Sequence, residues 1–211
     1  MPAVDFNLYL ITDRKNTRGR DIFFVVEEAL KGGVKAVQLR EKDLASRDLY
    51  AAAYDMRTLT ARYGARLFIN DRADIARAVD ADGVHLGDSS IPVHKAQEII
   101  GKKRLIGVSC HSTANAVSAQ ENGADFITFG PVFHTPSKAA YGDPVGVDKL
   151  RDTAGLLQIP VFALGGINRG NAPQVIEAGA RGIALISAVM TADDPYEAVE
   201  SLRFSLPVQE D

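Results

Sequence analysis

Gln38, Arg40 and Lys42 lie two residues apart, with Val37 and Leu39 preceding and interleaving them. In an extended segment that spacing sends the amide and both cations to one side and the apolar pair to the other. Two cations and an amide converging on one spot suit a cluster of anionic oxygens. The alternating acids Glu41 and Asp43 also allow a plain solvated charge run. Asn70-Asp71 offers hard oxygen ligands, and magnesium is usually held by one or two carboxylates with phosphates and water completing its octahedron. The same pair could equally begin a helix as a cap. Thr135-Pro136-Ser137-Lys138, followed by Gly142, brings hydroxyls, a lysine and backbone amides. That composition cradles phosphate without matching the nucleotide P-loop. Gly165-Gly166 and Ile186-Ser187-Ala188 add a second place where bare backbone and a helix start can approach an anion. Two separate phosphate sites are therefore expected.

The elements that must position these residues are short apolar runs alternating with longer amphipathic stretches. The runs Leu8–Thr12, Ala36–Arg40, Arg66–Asn70, Gly83–Gly87, Leu105–Ser109, Phe126–Gly130, Pro160–Leu164 and Gly182–Ser187 read as strands covered on both faces. Helical stretches fall at Asp21–Lys31, Ser46–Tyr63, Pro92–Ile100, Thr113–Asn122, Val147–Leu157, Arg169–Ala178 and Asp194–Ser201. Lys31-Gly32-Gly33, Asn122-Gly123-Ala124-Asp125 and Ala178-Gly179-Ala180-Arg181 each put a glycine at a helix end just before a strand, where a left-handed cap is wanted. Strict βα alternation implies a parallel sheet with right-handed crossovers. Eight strands and no glycine-rich nucleotide turn after the first favour an α/β fold of the closed (β/α)8 TIM-barrel type, one domain over residues 1–211, over an open doubly wound sheet. In such a barrel the C-terminal strand ends carry the site, and the polar residues above all leave strands at that end. The connection from Phe133 to Gly146 is long for its kind and reads as a lid candidate. His94 and His134 read as exposed, His111 as a helix cap and Cys110 as packing; His85 can point either way.

Composition narrows the function classes. The 211 residues are 46% hydrophobic, and 24 basic against 27 acidic side chains leave a net charge of −3. A nucleic-acid binder would carry a basic excess or stripe. One cysteine excludes an intrachain disulfide or a cysteine-based zinc cage. The start, Met1-Pro2-Ala3-Val4-Asp5, lacks the basic segment and apolar run of a signal peptide, and no apolar stretch approaches the ~20 residues of a membrane span. A cytoplasmic enzyme acting on small molecules is expected, without membrane or nucleic-acid partners, and a homo-oligomer is left open.

Seven segments carry a family likeness: Tyr9-Leu10-Ile11-Thr12-Asp13, Val37 to Lys42, Ile69-Asn70-Asp71-Arg72, Gly83 to Gly87, Ile106-Gly107-Val108-Ser109, Phe129 to Phe133 with Thr135, Ser137 and Lys138, and Ala163 to Ile167. In this order, spanning nearly the whole chain, they resemble the thiamine-phosphate synthase and thiazole tautomerase family. The resemblance implies condensation of hydroxymethylpyrimidine diphosphate with a thiazole phosphate, Mg2+-assisted and dissociative, releasing pyrophosphate. It implies that Gln38, Arg40, Lys42, Asn70, Ser109 and Lys138 contact the diphosphate or pyrimidine, with Arg40, Lys42, Ser109 and Lys138 catalytic. It further implies that Asp71 ligates magnesium, and that Thr135, Ser137, Gly166, Ile186 and Ser187 hold the thiazole phosphate. The family commonly has Gly-Gln-x-Asp after strand four, its last Asp a second metal ligand. Here Gly87-Asp88-Ser89-Ser90 puts Ser90 at that place and Asp88 at the glutamine position, which leaves three alternatives: Asp88 reaches the ion by a shifted loop, Asp71 holds it with water, or synthase activity is weak. The alternatives are a thiazole tautomerase, whose catalytic histidine would fall where Pro131 stands, and a non-catalytic barrel that binds a thiamine precursor.

Overall fold

The computed structural model describes residues 4–135, 143–203 and 206. Eight parallel strands close into a barrel in sequence order: β1 (Leu8–Ile11), β2 (Ala36–Leu39), β3 (Arg66–Asn70), β4 (Gly83–Leu86), β5 (Leu105–Cys110), β6 (Phe126–Phe129), β7 (Val161–Leu164) and β8 (Gly182–Leu185). Around it run α1 (Ile22–Lys31), α2 (Ser46–Arg62), α3 (Ala73–Ala78), α4 (Val93–Ile100), α5 (Thr113–Glu121), α6 (Gly146–Leu156), α7 (Ala172–Glu177), α8 (Ser187–Met190) and α9 (Pro195–Arg203). Among the described residues no helix is long and apolar enough to cross a membrane.

Side-chain alternation sorts the core into two shells. Outward residues such as Leu10, Val37, Leu39, Leu67, Ile69, Ile127 and Ile183 join the buried helix faces. Inward residues Tyr9, Ala36, Phe68, Leu105, Phe126, Phe162 and Ala184 fill the lumen with Phe6, which precedes β1 and plugs the floor. Phe6 stacks on Phe162 at 5.1 Å and meets Phe126 edge-on at 5.5 Å. Such offset and edge contacts are the favoured aromatic arrangements. Glycine at position 107 makes this filling fit, since a Cβ there would lie 2.4 Å from the Phe126 ring and 2.5 Å from His85 Nδ1.

Three expectations about elements are corrected. The eighth strand stops at Leu185, and Ser187 opens the short helix α8 instead of ending the strand. The seventh helix begins at Ala172, not Arg169, because Asn168 and Asn171 form a turn in which Asn168 N–H donates to Asn171 Oδ1 at 2.8 Å. Helix α3 was not foreseen; its six residues are too few to show a period. Ser137 and Lys138, with most of the Phe133–Gly146 connection, lie outside the described residues.

Candidate active site

The β2 exit is built first. Ala36 and Gln38 face the lumen while Val37 and Leu39 face the helices. The strand ends at Leu39, so the shared-side argument reaches Arg40 and stops there; Lys42 sits exposed in the following turn. Glu41 is no solvated charge. It is 5% exposed, accepts the Thr12 hydroxyl at 2.6 Å and is bonded by the Arg14 N–H at 3.2 and 3.3 Å. Burial pushes its carboxyl up, against the pull of Thr12 and Arg14. The Thr12 oxygen also accepts the Arg40 N–H at 2.9 Å, so one hydroxyl ties the backbone of Arg40 to β1.

Charge is arranged differently at the two ends of the barrel. At the N-terminal end Arg66 pairs with Asp5 and Arg57 with Asp82. At the C-terminal end Arg40 and Lys42 enter no ion pair among the described residues. A neutral imidazole lies beneath them. His85 is 1% exposed, and its pKa is lowered to about 3, mainly by burial and secondly by the charge of Arg40. Its Nδ1 is 3.2 Å from Tyr9 Oη and its Nε2 3.1 Å from Ser109 Oγ. Gln38 Nε2 donates to Tyr9 Oη at 3.1 Å. Two expected substrate residues, Gln38 and Ser109, are thus joined through Tyr9 and His85. Sequence reasoning left His85 undecided; its inward parity, shared with Gly83 on β4, was the available signal.

Asp71 follows β3 with φ +65°, a left-handed backbone unusual for a residue with a side chain. It does not act as a helix cap: Arg72 holds that position and no side chain caps α3. Its N–H donates to the His85 carbonyl at 2.9 Å. After β4, Ser90 Oγ turns back to accept the Gly87 N–H at 2.8 Å. Asp88 takes part in no ion pair or side-chain hydrogen bond among the described residues, and its charge is felt at Cys110. The Cys110 thiol, 1% exposed, is pushed up to about 12, chiefly by burial, which fits packing. Asp71 and Asp88 leave adjacent strands as uncommitted carboxylates, a donor set that fits one magnesium ion completed by phosphates and water. Among the described residues no group of three or more His, Cys, Asp or Glu could hold a metal by protein side chains alone.

A cavity of about 300 Å³ opens over β6, β7 and β8, lined among others by Thr135, Gly166, Ile186 and Ser187. Gly165 and Gly166 adopt φ +100° and +66°; a Cβ on Gly166 would lie 2.6 Å from the His134 carbonyl oxygen. The first N–H groups of any helix lack intrahelical partners, and α8 starts at Ser187 on this cavity. Asp13, Asn16 and His111 complete the wall. His111 is not the cap of α5, a part played by Ser112; its Nδ1 donates to the Gly130 carbonyl at 2.5 Å. His94 and His134 are exposed, as expected.

Comparison with known proteins matches residues 8–189 to a family model described as thiamine monophosphate synthase. A relative in Geobacter sulfurreducens is 58% identical over 98% of this chain and 97% of its own. A thiamine-phosphate synthase of Clostridium acetobutylicum is 45% identical over 91% and 90%. The solved thiamine phosphate pyrophosphorylase of Pyrococcus furiosus superimposes with a TM-score of 0.87 at 41% identity, covering 95% of each chain.

Proposed function

The chain belongs to the thiamine monophosphate synthase family, a transferase of thiamine biosynthesis, and from that premise we propose how its barrel mouth divides the reaction. The diphosphate of a hydroxymethylpyrimidine lies toward Arg40, Lys42 and Lys138, its ring between Gln38, Asn70 and Ser109. The thiazole phosphate lies against Thr135, Ser137, Gly166, Ile186 and Ser187. The bond between the pyrimidine methylene carbon and the diphosphate oxygen breaks, its electron pair leaving with pyrophosphate. The thiazole nitrogen then donates its pair to the methylene carbon, forming the new C–N bond. A leaving group that gains charge as it departs is stabilised by fixed cations more in the transition state than in the ground state. Holding the two partners on one mouth supplies proximity and keeps water from the cation.

The observation that carries this reading is the gathering of Thr135, Gly166, Ile186 and Ser187 on one cavity, together with the cations Arg40 and Lys42 after β2, which enter no ion pair among the described residues. Asp71 and Asp88 would hold magnesium, which when bound offsets diphosphate charge. We place the enzyme in the cytoplasm. The test is turnover of both precursors by the purified protein with magnesium, run with and without chelator. Thiamine phosphate and pyrophosphate are expected only without chelator. Isomerisation of a thiazole carboxylate phosphate without condensation would establish the tautomerase instead, and binding without turnover the precursor-binding barrel.

A further inference from the structure

Five polar side chains cross the lumen directly above the aromatic floor. They come from five strands: Gln38 on β2, Tyr9 on β1, His85 on β4, Ser109 on β5 and Thr128 on β6. Gln38, Tyr9, His85 and Thr128 are each no more than 1% exposed, and Ser109 is open toward the mouth. The contacts form a line: Gln38 Nε2 to Tyr9 Oη at 3.1 Å, Tyr9 Oη to His85 Nδ1 at 3.2 Å, and His85 Nε2 to Ser109 Oγ at 3.1 Å. Thr128 Oγ1 lies 3.4 Å from both His85 Nε2 and Ser109 Oγ, and donates to the serine.

Proton counting gives the line a direction. The Gln38 amide nitrogen can only donate, so Tyr9 Oη accepts from it. The one phenol proton then has a single remaining partner, His85 Nδ1. Nδ1 must accept. No carboxylate bonds the ring among the described residues, and a neutral imidazole carries one proton only. That proton therefore sits on Nε2 and is given to Ser109 Oγ. The serine oxygen receives from His85 and Thr128, and its own proton is unspent among the described residues, on the one member of the line that is not buried.

We propose that His85 is a positioning residue whose fixed tautomer, set through Tyr9 by Gln38, makes Ser109 a hydrogen-bond donor toward the bound pyrimidine substrate. The donor role of Ser109 toward that substrate rests on the synthase reading above; the tautomer does not. A hydroxyl with its oxygen already occupied cannot turn round to accept, so the donor is oriented before substrate arrives, the condition under which polar groups catalyse most. A reversed line, starting from an Nδ1–H imidazole, would leave Ser109 presenting an acceptor.

The experiment has two arms. The first reads the imidazole nitrogens of the ligand-free, 15N-labelled protein by long-range 15N–1H correlation, with His85→Asn identifying the resonance. The Nε2–H form is expected; the Nδ1–H form overturns the proposal. The second uses Tyr9→Phe, which keeps the ring in the aromatic floor and removes one oxygen two links from Ser109. The His85 signal should move toward a mixture of tautomers. In the same variant kcat should fall about tenfold while KM for either substrate changes less than about twofold, the pattern of an interaction made in the transition state. An unchanged tautomer with an unchanged kcat overturns the proposal as well. Because the first arm needs no turnover, a protein that condenses nothing but shows the Nε2–H form overturns the synthase reading and leaves the tautomer standing.

Discussion

Lowering the pH from 7 to 5 should cost this barrel stability through one buried ring. His85 has an ordinary pKa of 6.5 when the chain is unfolded and one of about 3 in the folded lumen. Below pH 6.5 the unfolded chain therefore binds a proton that the folded chain refuses. The unfolded state holds more protons, so stability rises with pH between about 3 and 6.5 and is lost as pH falls through that window. At 1.36 kcal/mol per pH unit, the loss through His85 is about 2 kcal/mol between pH 7 and pH 5. The figure depends little on the folded value: any folded pKa below about 4 leaves the ring neutral at pH 5. The measurement is the free energy of urea unfolding at pH 7 and pH 5, for the native chain and for His85→Asn, which cannot titrate. Carboxylates such as Asp5 and Asp74, whose ion pairs lower their pKa, weaken both proteins alike and cancel in the comparison. The native chain should lose about 2 kcal/mol more than the variant over that interval. Parallel losses would show that the imidazole charges inside the lumen, and the neutral-ring argument would fail with it.

Gly166→Ala should leave the barrel folded, at a cost of about 1–2 kcal/mol for a left-handed alanine. Its Cβ must push the His134 carbonyl, 2.6 Å away, so KM for the thiazole phosphate should rise about tenfold or more while that for the pyrimidine diphosphate stays put, as steady-state kinetics can show. Thr12→Val removes the hydroxyl shared by Arg40 N–H and Glu41; leaving the Arg40 N–H unmatched and Glu41 with the Arg14 N–H alone should cost about 1–3 kcal/mol in urea unfolding, and a neutral result would mean water replaces the hydroxyl. Arg40→Ala should cut kcat about a hundredfold, in line with losing one fixed transition-state donor, and a near-native rate in single turnover would move the diphosphate elsewhere.

Much of the barrel was legible because its strands are buried on both faces and bounded by glycine. The left-handed helix ends at Gly33, Gly123 and Gly179 fall where the chain pattern put them, with φ +112°, +92° and +93°. The cavity residues Thr135, Gly166, Ile186 and Ser187 were legible because each leaves a strand at the same end. What stayed hidden depends on contacts distant in sequence. Phe6 lies outside every strand, yet it plugs the floor through four rings from four other strands or their neighbours. Glu41 read as one of a charged run because nothing nearby announces Thr12, 29 residues away, as its partner. Lys42 read as sharing a side with Gln38 because the strand's end at Leu39 is a turn effect that alternation does not show.

On the proposed reading, the two layers of the lumen would separate charge recognition from ring recognition in height. The floor is packed with aromatic rings, so an ion there would lose its hydration without replacement. His85 records that penalty by staying neutral. A diphosphate is more costly to bury than an imidazolium, so on the proposed reading it stays at the rim with Arg40 and Lys42, which enter no ion pair among the described residues. A neutral pyrimidine pays no such penalty and can descend to Ser109, above a polar line whose protons are already assigned. On that reading the cleaved bond would lie between the two levels, with Arg40 and Lys42 on the side of the departing oxygen. Forcing a cation down, as in Thr128→Lys, should therefore fail on one of two counts: burying the amine destabilises the fold, or the ammonium, where it stays charged, repels the developing methylene cation. A Thr128→Lys protein that folded and kept native kcat would show that the layers do not divide charge in this way.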